Sequence, residues 1–177
     1  MSPILITGIV LSFLAIATGC ADFKEVDVQN LSDDAKQQMI ARGYSRSKRL
    51  FPEVQEISAY ELKERLEQDE LVVVDVRSPA ERAVSMIKGA ISSTEFEQNR
   101  AQYENVTVVT YCSIGHRSGL YAKKLHEEGF EVLNLVGSVL SWSHVAGDFV
   151  DAHGPTKRVH VGGPNSNFVA SGYDPTW

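Results

Sequence analysis

The sequence predicts a single α/β domain in which a small parallel sheet is flanked by helices. Two segments, Leu71-Val72-Val73-Val74 and Val106-Thr107-Val108-Val109-Thr110, are short β-branched runs of the kind found in strands covered on both faces. Capped helical patterns stand between them and the other strand candidates. Strands and helices alternate through residues 54–150, which favours parallel pairing through right-handed crossovers.

Val54 and Ile57 mark a short first strand, and Ser58 caps a helix whose Leu62 and Leu66 form an i, i+4 apolar pair. The strand at 71–74 ends at Asp75. Ser78-Pro79-Ala80-Glu81 follows, a cap with proline at the first helical position. The second buried strand, 106–111, ends at Cys112. A helix from Ser118 carries Tyr121, Ala122 and Leu125 on one side and stops near Gly129. Val132, Leu133, Leu135 and Val136 make a further strand. Ser138 to His144 form the last helix, with Trp142 packing beside Val139.

The chain of 177 residues, 43% of them hydrophobic, has room for one core with flanking segments and none for a second full domain. A net charge of −6 argues against nucleic-acid binding, which needs a concentrated basic surface. Residues 22–53 read as a polar connector with one short helix, capped by Ser32, favoured by Asp33 and Asp34 in its first turn and stopped at Gly43. Its basic cluster, Arg46, Lys48 and Arg49, reads as a solvated face. Residues 151–177 contain Gly154, Pro155, Gly162, Gly163, Pro164, Gly172 and Pro175, which interrupt any long helix. Val159, Val161, Phe168, Tyr173 and Trp177 are apolar enough to dock, so an ordered, loop-rich extension with about one strand is expected. It could also line the mouth of the Cys112 pocket.

From Pro3 to Gly19 there is no charged side chain. Such a run enters a bilayer but is short for a span. The following Ala17-Thr18-Gly19-Cys20 resembles the lipobox of bacterial lipoproteins, which implies cleavage before Cys20 and lipidation of its thiol. Residues 1–20 are therefore expected to be a lipoprotein signal, with a plain cleaved signal, a retained membrane anchor or a buried structural helix as the alternatives. The lipoprotein and anchor readings place the protein outside the cytoplasm and attached to a membrane, on the periplasmic or cell-surface side. With Cys20 so used, Cys112 is the sole remaining cysteine and has no internal disulfide partner.

Cys112 sits in Tyr111-Cys112-Ser113-Ile114-Gly115-His116-Arg117-Ser118, at a strand-to-helix turn. Only a thiolate attacks sulfur, and an ordinary thiol with a pKa of about 8.5 is mostly protonated at neutral pH. Successive N–H groups from Ser113 to Ser118 can curl into a nest around the sulfur, with the helix dipole and the fixed charge of Arg117 adding to it. Gly115 suits a tight turn. The same cradle favours the persulfide anion, so Cys112 and Arg117 are the candidate catalytic residues, with Ser113, Ile114, Gly115, His116 and Ser118 around the substrate. Arg117 either faces the sulfur or braces the loop through carbonyls or an acid. His116 either assists at the loop mouth or is merely exposed. Asp75 and Arg77 lie at the end of the neighbouring strand, where they hold the loop or, in the case of Arg77, touch substrate. His144, His153 and His160 lack the spacing of a metal site, and neither metal nor cofactor is expected.

Several segments in register resemble the single-domain rhodanese family: Asp75-Val76-Arg77-Ser78-Pro79-Ala80-Glu81, Ile87-Lys88-Gly89-Ala90-Ile91, the 111–118 loop, and Gly129-Phe130 with Asn134-Leu135-Val136-Gly137 and Trp142. The resemblance covers about residues 54–150. It implies the rhodanese-like fold and a sulfurtransferase that moves a sulfane sulfur from thiosulfate or a persulfide onto Cys112 and then to a thiol, a protein or another nucleophile. Related phosphatases and arsenate reductases place five residues between Cys and Arg to surround a tetrahedral oxyanion. Here four intervene, so the resemblance assigns the smaller ring to a single extra sulfur. A non-catalytic module using the same fold as a binding or regulatory surface is the alternative. The chain departs from the family pattern at Ser85-Met86-Ile87-Lys88, where Gly-His-Ile-Pro is usual, and at Gly137-Ser138, where Gly-Gly is usual. Neither departure is expected to touch the loop.

Overall fold

The protein is described by a computed structural model covering residues 30–68 and 71–177. The expected signal or anchor segment, with Cys20, lies outside the described residues. Among those residues no helix is long and apolar enough to cross a membrane.

The centre is a five-stranded, fully parallel sheet in the order β1-β6-β5-β2-β4. Its strands are β1 (Gln55–Ile57), β2 (Leu71–Asp75), β4 (Ile91–Ser92), β5 (Thr107–Tyr111) and β6 (Val132–Leu135). Between them run α2 (Ala59–Arg65), α3 (Pro79–Val84), the two-residue strand β3 (Met86–Ile87), α4 (Ser93–Gln98) and α5 (His116–Glu127). The last helix is α6 (Ser138–His144). Ser58 and Ser78 both form complete capping boxes, with Glu61 and Glu81 returning to the cap N–H, so the expected starts of α2 and α3 rest on local chemistry.

Adjacent strand residues feed opposite layers. Val72, Val74 and Val108 pack with Phe51, Phe96 and Leu125, whereas Val73, Val109 and Tyr111 pack with Leu62, Leu140 and Trp142. Both sheet faces are therefore dry. That is why the two strand runs show no polar alternation.

The flanking segments depart from expectation. The helix in the polar connector, α1 (Asp33–Lys48), has 16 residues, does not stop at Gly43, and packs on α5 and α6 with Ile40 and Tyr44 buried. Gly43 lies inside it for a steric reason: a Cβ there would come within 2.6 Å of Ile114 Cδ1 in the Cys112 loop. The segment is part of the core, and its i, i+4 pair Ile40 and Tyr44 was the signal. The C-terminal extension, 151–177, has three strands instead of about one, and a fourth ends at its first residue. β7 (Phe149–Asp151) pairs antiparallel with β3 and with β8 (Gly154–Thr156), while β9 (Arg158–His160) pairs parallel with β10 (Asp174–Thr176). Val159, Val161 and Val169 are buried, and Tyr173 stands edge-on to Phe149, but Trp177 is 60% exposed and does not dock.

Both ends of the described chain meet. Asp33 in the first turn of α1 accepts from the Ser171 N–H and hydroxyl, and Lys36 Nζ donates to Val169 O at 3.0 Å. Those contacts tie the extension to the helix that flanks the loop.

One packing constraint is directly testable. Gly119 of α5 lies against Phe51, and an added Cβ would fall 2.1 to 2.5 Å from the ring. Alanine favours a helix by about 1 kcal/mol over glycine, but overpacking a filled site costs roughly 1–3 kcal/mol. Gly119→Ala is expected to lower the urea midpoint, with a net loss of up to about 2 kcal/mol. A midpoint at or above that of the parent protein would contradict this packing.

Candidate functional site

Cys112 is the first residue after β5, where the chain leaves the C-terminal end of the central strand and turns into α5. It is a free, buried thiol, 1% exposed. Gly115 turns the loop with φ +107°, a left-handed conformation that favours glycine, and serves as the N-cap position, so α5 begins at His116 and not at Ser118. A side chain at 115 would also strike the Tyr44 ring, 2.5 Å away. Asn134 on β6 fixes the turn from below: its Nδ2 donates to Gly115 O at 3.0 Å and to the Tyr44 hydroxyl at 3.2 Å.

This geometry aims donors at the sulfur. Gly115 N lies 3.2 Å and Ser118 Oγ 3.6 Å from Cys112 Sγ. Burial pushes the Cys112 thiol up, yet the N–H and hydroxyl of Ser118 and the N–H groups of Gly115 and Ile114 together outweigh it. The net direction is down from the ordinary thiol value. A buried sulfur here is stabilised as an anion by fixed dipoles.

Arg117 leaves the loop rim half-exposed and forms a two-pronged ion pair with Glu81 of α3, at 2.8 and 2.6 Å, while Nη2 also donates to Ser113 Oγ at 3.1 Å. Hydrogen bonding to the Glu81 carboxylate raises Arg117 above its already high ordinary value; burial opposes this, and the negative charges of Cys112 and Glu81 reinforce it. In turn the Arg117 guanidinium holds the Glu81 carboxyl well below the usual carboxylate range; burial opposes this and the Ser78 N–H and hydroxyl reinforce it. Arg117 therefore braces the loop through an acid while keeping its charge beside the sulfur.

The other expected residues divide. Ile114 packs against α1, and His116 Nδ1 lies 3.2 Å from Ser47 Oγ on the same helix. Arg77 is corrected: its side chain is 0% exposed, locked to Asp75 at 2.7 Å and to Ser85 O at 2.6 Å, and lies over the Tyr111 ring. A charge sealed in this way supports β2 and β5 and has no route to substrate. Ser138 is corrected as well. Expected to stay clear of the loop, it accepts from Cys112 N at 3.0 Å. Val139 N donates to Cys112 O at 3.3 Å and Leu140 N to Ser113 O at 3.4 Å, so α6 holds the loop from its far side. Sequence reasoning missed Glu81, Asn134, Tyr44 and Ser138. Glu81 stood in a helix start and in a family-like segment with no role at the loop attached to it, and the other three act across the fold. Trp142 packs as expected, 3% exposed, with Nε1 donating to Asp148 O. Among the described residues no group of three or more His, Cys, Asp or Glu side chains is placed to hold a metal ion.

The extension reaches the site from the other side. His160 of β9 sits with Nδ1 3.9 Å from Glu81 Oε1 and accepts from Gly162 N at 3.2 Å. The loop is thus bordered by α1 on one flank and by the C-terminal extension on the other.

Comparison with known proteins gives concordant findings. Residues 58–144 match the family model described as a rhodanese-like domain. YtwF of Bacillus subtilis, provisionally named a sulfurtransferase, is 35% identical over 94 residues, covering 51% of this chain and 91% of that protein. A tRNA uridine(34) hydroxylase of Staphylococcus aureus is 33% identical over 98 residues, covering 50% of this chain but only 31% of the hydroxylase. The fold matches the crystal structure of a thiosulfate sulfurtransferase from Pseudomonas aeruginosa with a TM-score of 0.54 at 19% identity, covering 63% of this chain and 23% of that one.

The Glu81–Arg117 pair has a pH signature. A carboxyl depressed in the folded state adds stability above its unfolded value of 4.5 and loses it as the pH falls below that toward its folded value. Because Arg117 is half-exposed, the pair is worth about 1 kcal/mol after solvent screening. Glu81→Gln is expected to be less stable than the parent by that amount at neutral pH, with the difference shrinking below pH 4.5 in urea unfolding series. A difference that is constant with pH would contradict the pairing.

Proposed function

The chain belongs to the rhodanese-like family, and from that premise we propose that it is a sulfurtransferase working through a persulfide on Cys112. The observation that carries the proposal is a buried cysteine whose thiol is nevertheless lowered by converging N–H groups. Burial alone gives an inert thiol. Donors aimed at the sulfur give a nucleophile.

In the first half-reaction the Cys112 thiolate attacks the outer sulfur of a donor such as thiosulfate. A Cys112 S–S bond forms, the donor S–S bond breaks, and sulfite leaves with the bonding electron pair. The enzyme then holds Cys112–S–S⁻, whose negative terminal sulfur meets the same amides and the Arg117 charge. In the second, an acceptor thiolate attacks that terminal sulfur, departs as its own persulfide and restores the Cys112 thiolate. No net redox change occurs in the protein over the cycle. Ser113, Ile114, Gly115, His116 and Ser118 form the wall around the transferred atom. By resemblance to the family, the ring of four residues between Cys112 and Arg117 is assigned to one sulfur and not to a tetrahedral oxyanion, which sets this reading above phosphatase or arsenate chemistry. A small sulfane donor and a thiol or protein acceptor are the partners this chemistry asks for.

The proposal extends to location. The apolar run at 3–19 and Cys20 support export and attachment to a membrane through lipid or through a retained anchor. Cys20→Ala should release the protein from the membrane fraction; unchanged association would remove the lipid reading.

The activity test is direct. Incubation with thiosulfate should add one sulfur atom to the full chain by intact mass, cyanide or a thiol should discharge it, and Cys112→Ser should abolish both steps. A parent protein that gains no adduct from thiosulfate or a low-molecular-weight persulfide, or that hydrolyses an aryl phosphate instead, overturns the proposal.

A further inference from the structure

Ser138 occupies a backbone conformation that side chains avoid, φ +50°, directly after Gly137 at φ +68°. Among the described residues only Ser138 and Ala146 adopt positive φ without being glycine. Glycine would sit there without strain, so the serine hydroxyl must offset a cost.

Its contacts show what the hydroxyl does. Ser138 is fully buried at 0% exposure, and its Oγ accepts from Cys112 N at 3.0 Å while donating to Leu135 O at 3.3 Å. The Cys112 amide lies one residue past Tyr111, the last position paired to β2, so the sheet ladder does not take it. A buried N–H at that point needs another acceptor. The next residue along, Val139, donates its N–H to Cys112 O at 3.3 Å. Successive residues of α6 thus hold both peptide groups that flank the Cys112 α-carbon, opposite the donors of Gly115 and Ser118 that face its sulfur.

We propose that Ser138 is a positioning residue for Cys112: by capturing the backbone N–H it fixes the direction in which the Cα–Cβ–Sγ arm leaves the strand, toward the Gly115 amide and the Ser118 hydroxyl. The inference rests on the reading of Cys112 as nucleophile. Without the hydroxyl, the Cys112 amide turns to find another acceptor and the sulfur moves off its donors. Ser138 does not touch the reacting atoms; it acts through Cys112.

The test uses the full chain and two substitutions. Ser138→Ala removes the hydroxyl and leaves a side chain at positive φ, whereas Ser138→Gly removes the hydroxyl and relieves the strain, so it remains informative if the alanine variant does not fold. The readout is the pH dependence of Cys112 alkylation by iodoacetamide, alongside thermal unfolding. Both variants are expected to move the alkylation midpoint to higher pH and to react roughly threefold more slowly at neutral pH, because less thiolate is present. A folded variant of either kind with the parent's midpoint overturns the proposal, whatever its melting temperature, since a hydroxyl that only supports the fold would change the melt alone. A parent midpoint at the ordinary thiol value would instead count against Cys112 as an activated nucleophile, a separate failure.

Discussion

The interaction on which the structure depends is between one buried sulfur and the N–H and O–H groups that converge on it. Taking a thiolate out of water is unfavourable, and 1% exposure leaves Cys112 little solvent to help. Fixed dipoles at 3.2 and 3.6 Å replace that solvent without reorganising when charge develops. Their placement goes with Gly115 at positive φ, and Asn134 and Tyr44 hold that turn from two other elements.

Much of the remaining structure consists of supports for this short loop. β5 delivers Cys112 to the C-terminal end of the central strand, α6 grips its peptide, and Glu81 of α3 ties down Arg117. The segments outside the family match are drawn into the same task. α1 lies on the loop through Gly43, Tyr44 and Ser47, and the extension brings His160 to Glu81 while being tied to α1 through Asp33 and Lys36. The loop is therefore held from both flanks by segments that lie outside the family match.

The order of elements was largely legible in the sequence, because each was encoded locally. Ser58 and Ser78 cap their helices through residues three positions away, and the runs at 71–74 and 106–111 declare burial on both faces without any tertiary knowledge. Cys112, with Gly115 and Arg117 in one short stretch, was legible for the same reason. What escaped was long-range or concealed by polarity. Arg77 was left between supporting the fold and touching substrate; what decides it, burial of the pair it forms with Asp75 two residues away, is packing that no local pattern reveals. The helix at 33–48 is polar enough to pass for a connector, since Ile40 and Tyr44 are the only buried hydrophobic residues in it. Ser138 reads as a departure from a glycine pair, and its hydrogen bond to Cys112 spans 26 residues of sequence.

The most direct measurement is a pH titration of the thiolate ultraviolet absorbance in the full chain, with Cys112→Ser as the blank. A ring of amides that outweighs burial predicts a midpoint for Cys112 below the ordinary thiol value of about 8.5. A midpoint at or above that value would mean that burial prevails and that position 112 holds an inert thiol.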